Sequence, residues 1–237
     1  MSNYELEFQI REIIIYALKR RVKYEGFVKA IVKALYPNLS IYAEPELVRK
    51  LKALIELINN TEKPKTPYDV PIEEVKQITA NWKGSRYLVD DLGLPEIYEI
   101  LRYSMQLGRN INLARILAYI NPWGNTAAFK LAFDEGSMRE IAKNYVTDFI
   151  RGQDEFVHEI FGKFMNIEDL ISSMNNKLRI YIIHLVKHDL DIKDNSLLII
   201  TDHGYDIECE DAMCRLCHGN GCIKPIFSLI TPLVILR

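Results

Sequence analysis

The sequence predicts an α/β fold: a mostly parallel sheet covered by helices, preceded by an N-terminal helical region. Two short apolar runs carry that reading. Ser196-Leu-Leu-Ile-Ile-Thr-Asp-His-Gly-Tyr205 holds an uninterrupted branched stretch, Leu197 to Ile200, that breaks off in a polar corner at Asp202, His203 and Gly204. Such a run has apolar neighbours on both faces, as a central strand between helical layers does. Arg86-Tyr-Leu-Val-Asp-Asp-Leu-Gly93 has the same shape: a short strand, then carboxylates, then a glycine. The third observation is helical periodicity before and between these runs.

From Tyr4 to about Leu35, Leu6, Ile10, Ile13, Ile14, Ala17 and Leu18, then Phe27, Val28, Ile31, Val32 and Leu35, recur at helical spacing, which predicts two helices joined near Gly26. Pro45 to Ile58 repeats the pattern, and Asn59 to Pro71, with three prolines, reads as a connector. Residues 1–80 therefore form a helical region and 81–237 the α/β domain. A helix from Pro95 to Gln106 follows the first strand, with proline at its first turn. Asn112 to Tyr119 fits strand and helix equally. Asn175 to His188 is an amphipathic helix whose His184 and His188 read as packing or surface residues, and Asp189 to Asn195 is the loop into the Leu197 strand. Pro232-Leu-Val-Ile-Leu236 is a last buried strand.

Several of these places hold chemistry. Ligands of open α/β sheets bind at the carboxyl ends of strands, where Asp202 and His203 fall, and an oxygen and a nitrogen donor together suit zinc or a similar divalent ion. Consecutive strand residues point to opposite faces, so the pair converges only if the strand has ended, a bend Gly204 would allow. Pro122-Trp-Gly-Asn-Thr-Ala-Ala is a turn entering a helix with Asn125 or Thr126 at the cap; the helix start would favour a phosphate, although a cap residue there has a plainer role in closing the helix. Asp154 and His158, four apart, share a helix face at a spacing able to hold one metal ion, the same spacing that surface ion pairs use. Cys209, Cys214, Cys217 and Cys222 lie within one short stretch, a cysteine-rich loop over 209–222 that leaves a structural zinc, disulfides and free thiols all open.

Composition bounds the rest. At 237 residues and 49% hydrophobic content, the chain buries a full core. A formal net charge of -2, with both signs interspersed, gives no footprint for nucleic acid or a basic membrane surface. The start, Met1-Ser-Asn-Tyr-Glu5, lacks a signal peptide's basic region, and no apolar run approaches transmembrane length, so the expected location is cytoplasmic. Frequent Lys, Glu and Ile resemble thermophile usage, a setting in which intracellular disulfides occur.

Taken in order, Tyr-Leu-Val-Asp90, Asn-Thr126-Ala-Ala, Asp154-x3-His158, Thr-Asp202-His203-Gly and His218-Gly219 shortly before Pro-Leu-Val-Ile-Leu236 resemble the alkaline phosphatase superfamily and, within it, the PglZ-like branch, over about Tyr87 to Arg237. The resemblance implies a two-metal phosphatase or phosphodiesterase acting on a phosphorylated substrate. Asp154, His158 and His218 would hold one ion and Asp90, Asp202 and His203 the other, zinc or manganese, with Thr126 between them as nucleophile. Asp91 stands where the family has a small residue and competes with Asp90; Ser137 and Thr147 are substitutes for Thr126; a zinc site of the cysteines would claim His218. The resemblance also implies an alternative: a catalytically silent module that binds a protein partner through residues 1–80, since PglZ-like proteins belong to phage-defence systems. A zinc-knuckle nucleic-acid binder is a third reading, disfavoured by the near-neutral charge and the lack of aromatic-basic clustering around the cysteines.

Overall fold

A computed structural model describes residues 3–62, 72–111, 114–146, 148–150, 152–160, 162–191 and 196–236. The chain opens with α1 (Asn3–Lys19), α2 (Tyr24–Leu35) and α3 (Pro45–Asn60). The first two helices part at Arg21, whose φ of 53° closes α1, and not at Gly26, which lies inside α2. A positive φ at a bulky residue is invisible to periodicity, so the break is displaced from the glycine that the sequence offers. Helix α3 starts as its sequence demands, with Pro45 in the first turn and the Glu44 carboxylate accepting from Leu47 N. The expected connector lies mostly outside the described residues, at 63–71.

The sheet follows: α4 (Ile72–Asn81), β1 (Ser85–Val89), α5 (Leu94–Gln106), β2 (Arg115–Ile120), α6 (Thr126–Phe133), α7 (Met138–Tyr145), β3 (Asp148–Ile150), α8 (Gly152–Ile160), β4 (Met165–Asn166) and α9 (Ile167–Met174). A π-helical turn (Asn175–Arg179) joins α9 to α10 (Ile180–Asp191), so that helix runs past His188 into the expected loop; His184 and His188 lie exposed on it, and 192–195 fall outside the described residues. Strands β5 (Leu197–Thr201), β6 (Asp206–Glu210), β7 (Met213–Cys217) and β8 (Ile230–Leu236) complete the fold.

The main sheet has the order β2-β8-β5-β1-β3. Strand β1 runs parallel to β5 and β3, but β8 runs antiparallel to both β5 and β2, so the sheet is mixed and not mostly parallel. The reason is the connection. No crossover helix separates β5 from β8; the chain turns through the β6–β7 hairpin and short 3-10 turns, re-enters at the carboxyl end of β5, and must run back. The stretch that fitted helix and strand equally is β2, and the cysteine-rich loop is largely that hairpin, joined by β4 into a second sheet, β4-β7-β6.

Strand β5 is buried along its whole length. Leu197 and Ile199 enter one apolar cluster and Leu198 and Ile200 the other, on opposite sides of the sheet. Helices α4, α6 and α7 cover the second side through Val75, Phe129, Phe133, Met138 and Ile141. The larger cluster continues without interruption from the sheet into α1, α2 and α3. Phe27 stacks on Tyr98 of α5 with centroids 4.4 Å apart, and the Tyr98 hydroxyl donates to Val22 O. The N-terminal helices and the α/β part thus share one core.

Glu96 marks the same junction. Its carboxylate is fully buried and accepts from the Tyr24 hydroxyl at 2.5 Å and the Tyr205 hydroxyl at 2.7 Å. Burial outweighs these two donors and holds the carboxyl up at about 7, from an ordinary 4.5. The folded state therefore keeps a proton that the unfolded chain has lost, and stability falls as pH rises from about 4.5 to about 7 and stays lower above that. Glu96→Gln removes the ionisable group while keeping the shape. It should gain about 1–3 kcal/mol over the native chain at alkaline pH and nothing below the ordinary carboxylate range, as urea denaturation at the two pH values would read.

Candidate metal centre

The centre forms where β1 and β5, adjacent and parallel, release the chain at their carboxyl ends. Thr201 ties the two loops together: its hydroxyl accepts from Leu92 N at 3.1 Å and donates to His203 O at 2.8 Å. The carbonyl of Asp202 is clamped by Asn121 Nδ2 and Thr231 Oγ1, both at 2.9 Å, which carry over from the ends of β2 and β8. Gly204 contributes through closeness: a Cβ there would lie 3.1 Å from Phe227 O. The left-handed bend sits on the other loop, at Asp91, with φ 67°.

Asp90, Asp202 and His203, all buried, each offer one ligand atom, and these atoms lie within 4.8 Å of one another. Asp91 joins them. Strand β1 has ended at Val89, so alternation no longer separates Asp90 from Asp91, and both carboxylates reach the same corner. Asp91 N donates to Asp202 Oδ1 at 3.1 Å, and its Oδ1 lies 3.4 Å from His203 Nδ1. The two residues read as competitors are partners, and the Asp-Asp doublet directly after an apolar run was the available signal. Asn121, the other contributor missed in the sequence, is marked only by its place at a strand end before Pro122.

His203 is enclosed by acceptors. Nδ1 lies 2.9 Å from Gly204 O; Nε2 lies 3.3 Å from Asp202 Oδ2 and 3.4 Å from Thr126 Oγ1. Burial pulls the imidazole toward the neutral form, but the Asp202 charge, with Asp91 and Gly204 O behind it, outweighs that and holds His203 up at about 10. Without a metal the ring is a cation between carboxylates. Asp90, Asp202 and His203 would hold a divalent ion in place of that proton, with His203 Nδ1 remaining beside Gly204 O. The donor set fits such an ion on a second count: Asp202 Oδ2 is buried, and its neighbour at 3.3 Å is the same His203 Nε2 that an ion would engage.

His218 follows the last residue of β7, its ring 4.7 Å from that of His203 and 5.5 Å from that of His158, near the end of α8. Burial, followed by the neighbouring His203 and His158, depresses it to about 4, so it is neutral at neutral pH and able to act as a ligand. Gly219 makes the approach possible. Its φ is 47°, and a Cβ there would lie 2.6 Å from Trp123 O. The three imidazoles run outward from buried His203 through half-buried His218 to exposed His158, where a cavity of about 400 Å³ opens, lined by Asn125, Arg215 and Asn220 among others. The backbone of Asp154 stands one turn before His158 on α8, and its side chain lies outside the described residues.

Thr126 is the first residue of α6, but the cap is Asn125, whose Oδ1 accepts from Ala127 N at 3.1 Å and Ala128 N at 3.3 Å. Those amides are therefore engaged and offer no cradle for a phosphate, while the Thr126 hydroxyl faces His203. Ser137 caps α7 by accepting from Glu140 N, which commits it to that helix; Thr147 lies outside the described residues. The cysteines are paired, Cys209 with Cys214 and Cys217 with Cys222, and none is free. Of the states open in the sequence the structure has two disulfides and not a structural zinc, so the thiols make no claim on His218. Cys209 and Cys214 face each other across the β6–β7 ladder with Cα atoms 4.0 Å apart, and proximity accounts for the pairing.

No protein-family model matches the chain, and no curated protein matches it in sequence. No helix among the described residues is long and apolar enough to cross a membrane.

Proposed function

We propose that the chain is a metal-dependent hydrolase of phosphate mono- or diesters. The observation that carries this reading is the convergence of Asp90, Asp202 and His203 at the carboxyl ends of two adjacent parallel strands, with the Thr126 hydroxyl 3.4 Å from His203 Nε2. Asp90, Asp202 and His203 would hold one zinc or manganese ion; His218 and His158, with Asp154, are the candidates for a second. Bound ions supply charge neutralisation and a lowered pKa for a nearby hydroxyl or water. Thr126 is the nucleophile, held by the first turn of α6 and spared the capping role by Asn125. Its attack on phosphorus transfers the phosphoryl group to the threonine oxygen and expels the alcohol, for which the cavity beside His218 has room. Asp91 acts through His203, fixing the ring's orientation.

One observation favours a second reading, a catalytically silent module that binds a protein partner. His203, as a cation between Asp91 and Asp202, already offsets one of their negative charges. The two readings separate on one assay. Zinc- or manganese-loaded protein should hydrolyse an aryl phosphate mono- or diester, and Thr126→Val should slow it by on the order of 10³-fold. A fully active Thr126→Val protein removes the threonine from the mechanism, and a metal-loaded native protein inert on both ester classes favours the silent module.

A further inference from the structure

The chain that leaves the metal centre is anchored a second time, just past His203. Tyr205 stands two places after that histidine and is buried. Its hydroxyl donates to Glu96 Oε2 at 2.7 Å, in the first turn of α5. Its ring lies against Gly93: a Cβ on Gly93 would come within 2.2 Å of Tyr205 Cε1 and 2.8 Å of Glu96 Oε2. Gly93 has φ -80° and ψ 163°, ordinary extended backbone, so closeness alone reserves the place for glycine. Gly204 rests on the same stretch, where a Cβ would lie 3.4 Å from Leu92 O and 3.8 Å from Gly93 Cα. Gly93 ends the loop that carries Asp90 and Asp91, and Gly204 O is the carbonyl 2.9 Å from His203 Nδ1. That carbonyl belongs to the peptide unit leading into Tyr205, so the seat of the tyrosine bears on the group His203 faces. The links already described between the two loops fall at or before His203: Thr201 with Leu92 N, Asp202 with Asp91 N, and Asp91 with His203 itself. Tyr205 ties the chain after it.

We propose that Tyr205 is a positioning residue of the metal centre, seated on Gly93 and Glu96 so that Gly204 O is presented to His203 Nδ1 and the Asp90–Asp91 loop is held against the His203 loop. The consequence for metal binding rests on the metal-dependent reading of the site given above. Tyr24 distinguishes this role from packing alone. Its hydroxyl donates to the same carboxylate, to Glu96 Oε1 at 2.5 Å, and its side chain is equally buried. Tyr24 stands on α2, however, and is part of neither loop that bears the ligand candidates. Removing either hydroxyl takes one donor from Glu96 and should cost similar stability. Only the loss from Tyr205 loosens the residue that adjoins Gly204.

The test compares native protein with Tyr205→Phe, Gly93→Ala and Tyr24→Phe. Gly93→Ala keeps every polar group and drives the Tyr205 ring off its seat, since a contact of 2.2 Å is closer than carbon atoms can stand. Three readouts are taken: the thermal midpoint, the Nδ1–H resonance of His203 in metal-free, histidine-labelled protein by NMR, and the affinity for Mn²⁺ by calorimetry. The resonance is assigned by its absence from His203→Gln, and its position follows the hydrogen bond that the ring makes. Tyr205→Phe and Gly93→Ala should shift it and bind Mn²⁺ about 10-fold or more weakly, the loss typical of disturbing a group that orients a metal ligand. Tyr24→Phe should lose as much thermal stability as Tyr205→Phe while resonance and affinity stay native. A native resonance in both Tyr205→Phe and Gly93→Ala overturns the proposal, as does a Tyr24→Phe protein whose resonance moves as far as that of Tyr205→Phe. Should Tyr205→Phe not fold, Gly93→Ala against Tyr24→Phe decides on the same terms. If native protein binds no Mn²⁺, the metal reading fails by itself, and the resonance still decides the role of Tyr205: its shift in the two variants upholds it and its persistence overturns it.

Discussion

Replacing Asp202 with alanine is expected to abolish binding of a divalent ion at this centre and, with it, hydrolysis. Asp202 is fully buried, its ligand atom lies within 4.8 Å of those of Asp90 and His203, and its Oδ2 has the His203 ring 3.3 Å away. Removing it takes one donor of three and half of the charge that the two ligand carboxylates present. The loss should exceed the roughly 10–100-fold typical of altering a supporting residue. Folding is a separate matter, because the Asp202 carbonyl, and not its side chain, holds Asn121 and Thr231. Asp202→Asn is the cleaner variant: its amide oxygen can still accept from Asp91 N, while the negative charge is gone. Both variants should keep the native circular dichroism and lose calorimetric metal binding. Native affinity in Asp202→Asn would remove Asp202 from the ligand set.

Phe27→Ala is expected to lower the stability of the whole chain by about 3–5 kcal/mol, the range for deleting a large buried aromatic. Phe27 is fully buried, belongs to the cluster that runs from the N-terminal helices into the sheet, and stacks on Tyr98 with planes 2° apart. The tyrosine cannot follow it into the vacancy, since its hydroxyl is committed to Val22 O. For a chain of this size that is a drop on the order of 10 °C in Tm. Because helices and sheet share one core, the transition should stay single and move as a whole. A melt in two steps, with only the first displaced, would show that the helices fold as a separate unit.

The parts legible in the sequence are those where one physical requirement dominates. Leu197 to Ile200 contains no polar residue and is short and rich in branched side chains, so it reads as a strand covered on both faces, with the abrupt Asp202-His203 as the loop at its end. Helices α2 and α3 follow from their apolar spacing and from Pro45. The rest depended on choices that local sequence leaves degenerate. A run such as Pro232 to Leu236 encodes burial and not direction, so the antiparallel return of β8 was set by the route of the preceding hairpin. Asn125 and Thr126 are both good caps, and only the backbone decided which hydroxyl or amide was spent on the helix. Asp90 and Asp91 seemed exclusive under strand alternation, a rule that had ceased to apply one residue earlier.

The proposed function requires a divalent ion on Asp90, Asp202 and His203. X-ray absorption at the zinc edge of zinc-loaded, oxidised protein addresses it most directly. The expected spectrum has oxygen and histidine nitrogen neighbours at about 2.0–2.2 Å and no sulfur. Sulfur neighbours at about 2.3 Å, or a protein that takes up no zinc, would contradict it.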